Sequence, residues 1–405
     1  MMVAVTSHLT SLDGARPAGS DRSPRRRPRR MRWWVSCLVL AVVIAVAGAT
    51  VPVNAVIESP GPTWNVLGSA DQEGAGTSGQ AEDVGATAVI AVEGTQTYPA
   101  AGTLRMTTVA VRGCPGYPVT AFDLITAWLS PEQTVVDREA VCPSSMSAEE
   151  VEQANQAQMT SSEQAAVVAA LLESGEASRT ILTVQGTADE QKGADVHPGD
   201  VLVSLTREDA ATTTIDTFSQ LRQLMSTIAP GTSVTIGLER DGQPSETSLT
   251  TIAPSDDDGD GTPDSTGSLL GLMLQVTADS PVTASFGLQD VGGPSAGMMF
   301  ALGIIDSITP GDLTGGQDVA GTGTISVDGA VGPIGGIAQK MAGAKSAGSS
   351  FFLAPADNCA EVVGHEPDGM QVYAVSTLHE AVQAVEAIAA GDTSPLTSCQ
   401  SVLKQ

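Results

Sequence analysis

The stretch Asp290-Val291-Gly292-Gly293-Pro294-Ser295-Ala296-Gly297 sets a serine among small residues, directly ahead of the apolar run Met298-Met299-Phe300-Ala301-Leu302. A run that is apolar on every side predicts a buried helix, and its start forces a sharp turn at the serine. Glycines permit such a turn and let backbone N–H groups approach a substrate closely. A serine in this place is either a helix N-cap or a nucleophile. This stretch alone leaves both readings open.

A second stretch weighs on that choice. Val331-Gly332-Pro333-Ile334-Gly335-Gly336-Ile337-Ala338-Gln339-Lys340 follows the strand-like Thr322-Gly323-Thr324-Ile325-Ser326-Val327. Ile337, Met341 and Ala344 recur at i, i+4, i+7 and predict one apolar helix face. Lys340 points to that side, whereas Lys345 reads as solvent-facing. An amine held against apolar surface loses the hydration of its charged form, so its pKa falls towards neutrality and it can act as a base. A serine activated by such a lysine is an alternative to the Ser-His-Asp arrangement.

The Gly-Pro-Ser-Ala-Gly turn, the Thr-Gly strand and the Pro-Ile-Gly-Gly-x-x-x-Lys helix resemble, in order and spacing, the proteolytic domain of the Lon proteases. The resemblance implies Ser295 as nucleophile, Lys340 as general base and Thr322 as the residue orienting the lysine. The backbone N–H groups of the Gly292–Ser295 turn, Gly292 and Gly293 among them, are the expected oxyanion donors. Ala354-Pro355-Ala356-Asp357-Asn358 resembles the Pro-x-x-Asn stretch that follows the lysine helix. Many Lon enzymes carry an acidic residue three positions before the serine. Here that position is Gly292, with Asp290 two residues further back.

Seven arginines from Arg22 to Arg32 precede Trp33-Trp34 and an apolar run from Val35 to Val51, which Pro52 breaks. That run is about the length of a bilayer-crossing helix. Arginines stay on the cytoplasmic side, so the expectation is a single-pass cell-membrane protein with a cytoplasmic N-terminus and an extracytoplasmic catalytic part. A cleaved signal peptide, with Ala47-Gly48-Ala49 as its small-residue site, is the alternative. The 405 residues carry 46 acidic and 19 basic side chains, a net charge of −27. Such a chain repels phosphate, so nucleic acid is not an expected partner.

Cys114, Cys142, Cys359 and Cys399 follow the apolar run, and an even count in an oxidising compartment suggests two disulfides. Three pairings are possible. Cys114–Cys142 and Cys359–Cys399 are preferred because each closes a loop within one region.

The chain divides into a basic tail (1–32), a transmembrane helix (33–56) and a juxtamembrane turn and loop (57–86). The turn is suggested by Pro60-Gly61-Pro62. The N-terminal part of the protease region (87–178) follows; it includes a short helix near Phe122–Leu129 and a long one after a capping box of Ser147 and Glu150. Residues 179–252 read as a separate module. Leu221, Leu224, Met225 and Ile228 mark its amphipathic helix, and Arg240-Asp241-Gly242 its hairpin turn. An acidic linker (253–266), the catalytic domain (267–392) and a C-terminal tail (393–405) complete the chain.

The juxtamembrane Pro-Gly-Pro-Thr, the anchor and the catalytic motifs together resemble membrane-anchored bacterial Lon-like proteases that carry a PDZ domain. The implied fold class is α+β: a Lon-type proteolytic domain with an inserted or adjoining PDZ domain, after one N-terminal transmembrane helix. In such a module Ile181, Leu182 and Val184 are candidates for a strand that takes an extended peptide along a sheet edge. Rings formed by Lon domains imply a homo-oligomer.

Asp256, Asp258, Asp260 and Asp264, with Gly261 among them, follow the ligand order at the start of a calcium loop. The twelfth position is Gly267, where a bidentate glutamate is expected, so a solvated acidic linker is the competing reading. No other cofactor is expected. No Gly-x-x-x-x-Gly-Lys-[Ser/Thr] phosphate loop occurs, so ATP is not an expected partner and cleavage of loosely structured proteins or peptides is expected to be ATP-independent. Two rival functions remain. One is a Ser-His hydrolase using the Gly-x-Ser-x-Gly turn with His365 or His379. The other is a catalytically inactive, membrane-tethered PDZ binding protein.

Overall fold

The computed structural model describes residues 29–70, 87–114, 117–208, 210–255, 266–288 and 291–404. The aspartates proposed for calcium and Asp290 lie outside the described residues. The helix Arg29–Thr50 is long and apolar enough, by length and composition, to cross a membrane.

Among the described residues, one six-stranded sheet includes the strands that flank the Lys340 stretch. Its strands run in space as Gln371–Val375, Phe351–Pro355, Asp318–Gly321, Thr103–Arg112, Ala55–Asn65 and Thr134–Asp137. The first four are mutually parallel, and Ala55–Asn65 pairs antiparallel with both its neighbours. One sheet is thus assembled from chain segments on either side of the 179–252 module. The guanidinium of Arg105 has no exposed surface and ties the two together. It pairs with Asp318 and donates to Ser349 Oγ and Thr63 Oγ1. A buried charge of this kind survives only with such full pairing.

The segment expected as a rigid juxtamembrane turn is instead the strand Ala55–Asn65. Pro60 and Pro62 lack N–H groups, and the ladder accommodates them by shifting register between Pro60 and Thr63. Gly61 passes so close to Thr108 that a Cβ there would collide with its backbone. Thr108 Oγ1 donates to the Pro62 carbonyl across 2.8 Å. The prolines therefore mark a bulge rather than a turn.

The second sheet runs Gln243–Thr250, Ser233–Arg240, Val201–Arg207, Thr180–Thr187 and Leu272–Ala278, with Thr213–Thr214 beside Val201–Arg207. The helix Phe218–Ser226 buries Leu221 and Met225, and Asp241 and Gly242 take the positive φ values (51° and 74°) that a tight hairpin needs. Leu272–Ala278, expected inside the catalytic domain, belongs to this sheet. It pairs with Thr180–Thr187, with a register shift between Met273 and Leu274, and packs Leu272, Leu274 and Val276 against the same core. This moves the module's boundary past the acidic linker.

The same pairing corrects the expected peptide-binding strand. Ile181, Leu182 and Val184 lie on Thr180–Thr187, which is hydrogen-bonded on both sides. A strand inside a sheet has no free edge for another chain to join, and Leu182 and Val184 are fully committed to the core.

Both preferred disulfides, Cys114–Cys142 and Cys359–Cys399, are present.

Candidate active site

The apolar run after the serine becomes the helix Gly297–Ile308, of which only Ser307 escapes full burial. Burial on all sides explains why its sequence shows no amphipathic stripe. Its start is held by three contacts. Gly323 N–H donates to the Ser295 carbonyl across 2.9 Å, and Met298 N–H donates to the Gly323 carbonyl across 3.1 Å. Ser162 Oγ, from the long helix Ala148–Glu173, donates to the Pro294 carbonyl across 2.9 Å. Ser295 does not cap the helix, whose N-cap is Ala296 without a side-chain bond.

Lys340 lies on the helix Ile337–Ser346, whose buried residues include Ile337, Met341 and Ala344. The helix starts at Gly336, in the left-handed region at φ 67°. A Cβ there would stand 2.6 Å from Val109 Cγ2, so the position requires glycine on two counts. Asn358 fixes the loop ahead of it. Its side chain accepts from Ile334 N–H and donates to the Ile334 carbonyl, each across 2.9 Å. Lys345 is half-buried rather than fully solvent-facing.

The Lys340 side chain is 3% exposed. Burial pushes its amine down to about 7, opposed by the carboxylate of Glu58. The amine donates to Thr322 Oγ1 across 3.0 Å, and that hydroxyl donates to the Ser295 carbonyl across 2.9 Å. Thr322 is 1% exposed and sits just after the strand Asp318–Gly321. Ser295 and Lys340 line one cavity of about 550 Å³, with Glu58, Asn155 and the 291–296 turn among the other walls. No hydrogen bond joins Ser295 Oγ to Lys340 Nζ among the described residues. Such contacts commonly tighten only with substrate in place.

The expected oxyanion donors need revision. Gly293, at φ 85°, gives its N–H to the Asn155 carbonyl across 2.9 Å, and Pro294 has no N–H to give. Among the described residues, the N–H groups of Gly292, Ser295 and Ala296 remain without an acceptor. Gly293 thus shapes the turn, and its N–H is already taken up.

Neither histidine reaches this cavity. His365 Nδ1 lies 3.0 Å from the Glu361 carbonyl, and His379 Nδ1 lies 2.7 Å from Glu173 Oε1, both at exposed positions. Glu58 is the group that the sequence reading missed. It stands half-buried on Ala55–Asn65, nearly three hundred residues from Lys340 in sequence. Burial pushes its carboxyl up, the Lys340 charge pulls it back, and Glu361 pushes it up again.

Residues 286–387 match the family model described as the Lon protease (S16) C-terminal proteolytic domain. Lon protease 2 of Bacillus subtilis is 37% identical over 97 residues, which is 24% of this chain and 17% of that protein. Lon protease 1 of Sorangium cellulosum is 38% identical over 93 residues, 22% of this chain and 11% of the relative. The chain therefore spans less than a fifth of the length of these two curated relatives. A solved PDZ domain of the SdrC-like protein from Listeria monocytogenes covers 23% of this chain and 85% of its own length, at 11% identity. Its TM-score of 0.17 carries no argument about fold. Residues 286–387, the segment that brings Ser295, Thr322 and Lys340 together, are similar to the C-terminal proteolytic domain of the Lon (S16) proteases.

Proposed function

We propose that the chain is an ATP-independent serine endopeptidase in which Ser295 attacks and Lys340 serves as general base. The observation that carries this reading is the buried Lys340 amine, lowered to about 7 and hydrogen-bonded to Thr322 in the cavity that Ser295 lines. In the first step the neutral amine takes the Ser295 hydroxyl proton while the oxygen adds to a peptide carbonyl. The N–H groups of Gly292, Ser295 and Ala296, without an acceptor among the described residues, are the donors for the oxyanion, an effect of about 3–4 kcal/mol per donor in related sites. The lysinium then protonates the leaving amine, and water releases the acyl group with Lys340 again as base.

The N-terminal helix is read as an anchor that sets the catalytic part outside the cytoplasm, where the two disulfides form. The second sheet is read as a PDZ-type module that captures loosely structured chains. An added strand has its place at the end strand Leu272–Ala278 rather than at Thr180–Thr187. Calcium binding by the 256–264 aspartates and assembly into a homo-oligomer are further parts of the proposal.

The test is digestion of an unfolded protein by the full chain in detergent, without nucleotide. Cleavage that persists in Ser295→Ala rules the reading out. Cleavage lost in both Ser295→Ala and Lys340→Ala, and retained when His365 and His379 are replaced, supports it.

A further inference from the structure

We propose that Glu58 is the positioning residue for the base: its carboxylate supplies the counter-charge that Lys340 needs while that amine holds the serine proton. This inference rests on the Ser295–Lys340 reading and assigns that site a third charged participant.

The placement is specific. Glu58 lines the same cavity as Ser295 and Lys340. Its Oε2 lies 3.5 Å from the point where a Cβ on Gly336 would stand, and Gly336 begins the lysine helix. Lys340 N–H closes the first turn of that helix on the Gly336 carbonyl across 3.0 Å. The carboxylate therefore lies beside the start of the helix that carries the amine. Among the described residues no hydrogen bond or ion pair takes it up. Its cross-strand neighbours, Val111 and Thr134, carry no charge. The charges that act on it are Lys340 and Glu361, while Glu152 is the other carboxylate on the cavity wall.

The chemistry needs such a group. Proton transfer from Ser295 creates an ammonium on a side chain that is almost entirely buried, and a buried charge without a partner is costly. Thr322 offers the amine a hydrogen bond but no charge. An ionised carboxylate across the cavity favours the protonated amine and so makes Lys340 a stronger base. Two other roles fit the same position. A carboxylate at a helix N-terminus can merely stabilise the helix. A carboxylate in a substrate cavity can recognise a basic substrate side chain.

The test is an NMR pH titration of the full chain in detergent, with lysine labelled with ¹³C at Cε and the Lys340 signal identified by its loss in Lys340→Arg. In Glu58→Gln the Lys340 midpoint should fall by about half a pH unit or more, the size of a modest charge interaction. The signals of Lys192, Lys345 and Lys404 should not move. In peptide cleavage the acid limb of kcat/KM should shift down by the same amount while plateau kcat drops roughly three- to tenfold. If Glu58→Gln does not fold, Glu58→Asp, which draws the charge back, must lower the midpoint in the same sense.

An unmoved Lys340 midpoint overturns the proposal in every version. With reduced thermal stability it leaves Glu58 as a helix-end group. With KM raised only for basic substrates it makes Glu58 a recognition residue. Absence of Ser295-dependent cleavage in the parent would refute the peptidase reading instead, and the titration would still decide the coupling.

Discussion

The Lys340 amine donates to Thr322 Oγ1 across 3.0 Å, and through that one hydroxyl the base is tied to the Ser295 backbone. Thr322 accepts from the lysine and donates to the serine carbonyl, so it orients the amine and fixes the turn together. Thr322→Val keeps the shape and removes both bonds. It should lower kcat roughly ten- to a hundredfold, within the range that general-base catalysis contributes. Thr322→Ser should retain most activity. Steady-state kinetics on a fluorogenic peptide would check the pair; equal activity in the two variants would deny Thr322 its role.

Burial pushes the Lys340 amine down to about 7 in the fold, against an ordinary value of 10.5. Between these values the unfolded chain binds more protons than the folded one. This group therefore makes stability rise with pH through that window and weaken as pH falls towards 7, by at most about 1.4 kcal/mol per pH unit. Lys340→Met should remove that slope and raise stability near pH 7 by about 1–3 kcal/mol while abolishing cleavage. Urea denaturation of parent and variant at several pH values from roughly 7 to 9 would reveal it.

Ser162 Oγ supports the nucleophile turn from outside the matched domain, through the Pro294 carbonyl. Ser162→Ala should cost about 1 kcal/mol of stability for the lost bond. Its larger effect should be on kcat, several-fold down, because the turn sets where Ser295 points. A fall in stability with unchanged kcat would limit Ser162 to a structural role.

Gly336 takes a left-handed conformation against Val109. Gly336→Ala should destabilise the fold by more than about 1 kcal/mol, since backbone strain and a side-chain collision add. Thermal unfolding would measure it; an unchanged Tm would show that the loop relaxes.

The two catalytic stretches were legible because each needs glycines at fixed places and an apolar run that can be read locally. Lys340 was legible for the same reason: helical spacing places it on the face of Ile337, Met341 and Ala344. Glu58 was not. Its strand contains Pro60-Gly61-Pro62, which reads locally as a turn, and only pairing with Thr103–Arg112 turns it into a bulged strand. The Gly293 N–H bond to Asn155 was equally hidden, since it joins elements far apart in the chain. Chain order places Leu272–Ala278 with residues 267–392, because a local strand pattern does not show which sheet it completes.

The central claim is that a buried amine at position 340 activates Ser295. The most direct measurement is the rate at which a fluorophosphonate modifies the full chain, followed by intact mass and peptide mapping. The account predicts one adduct, on Ser295, formed with a pH midpoint near the value of about 7 set for Lys340 and slowed at least roughly a hundredfold in Lys340→Ala. Labelling of Ser295 at the parent rate in Lys340→Ala would contradict it.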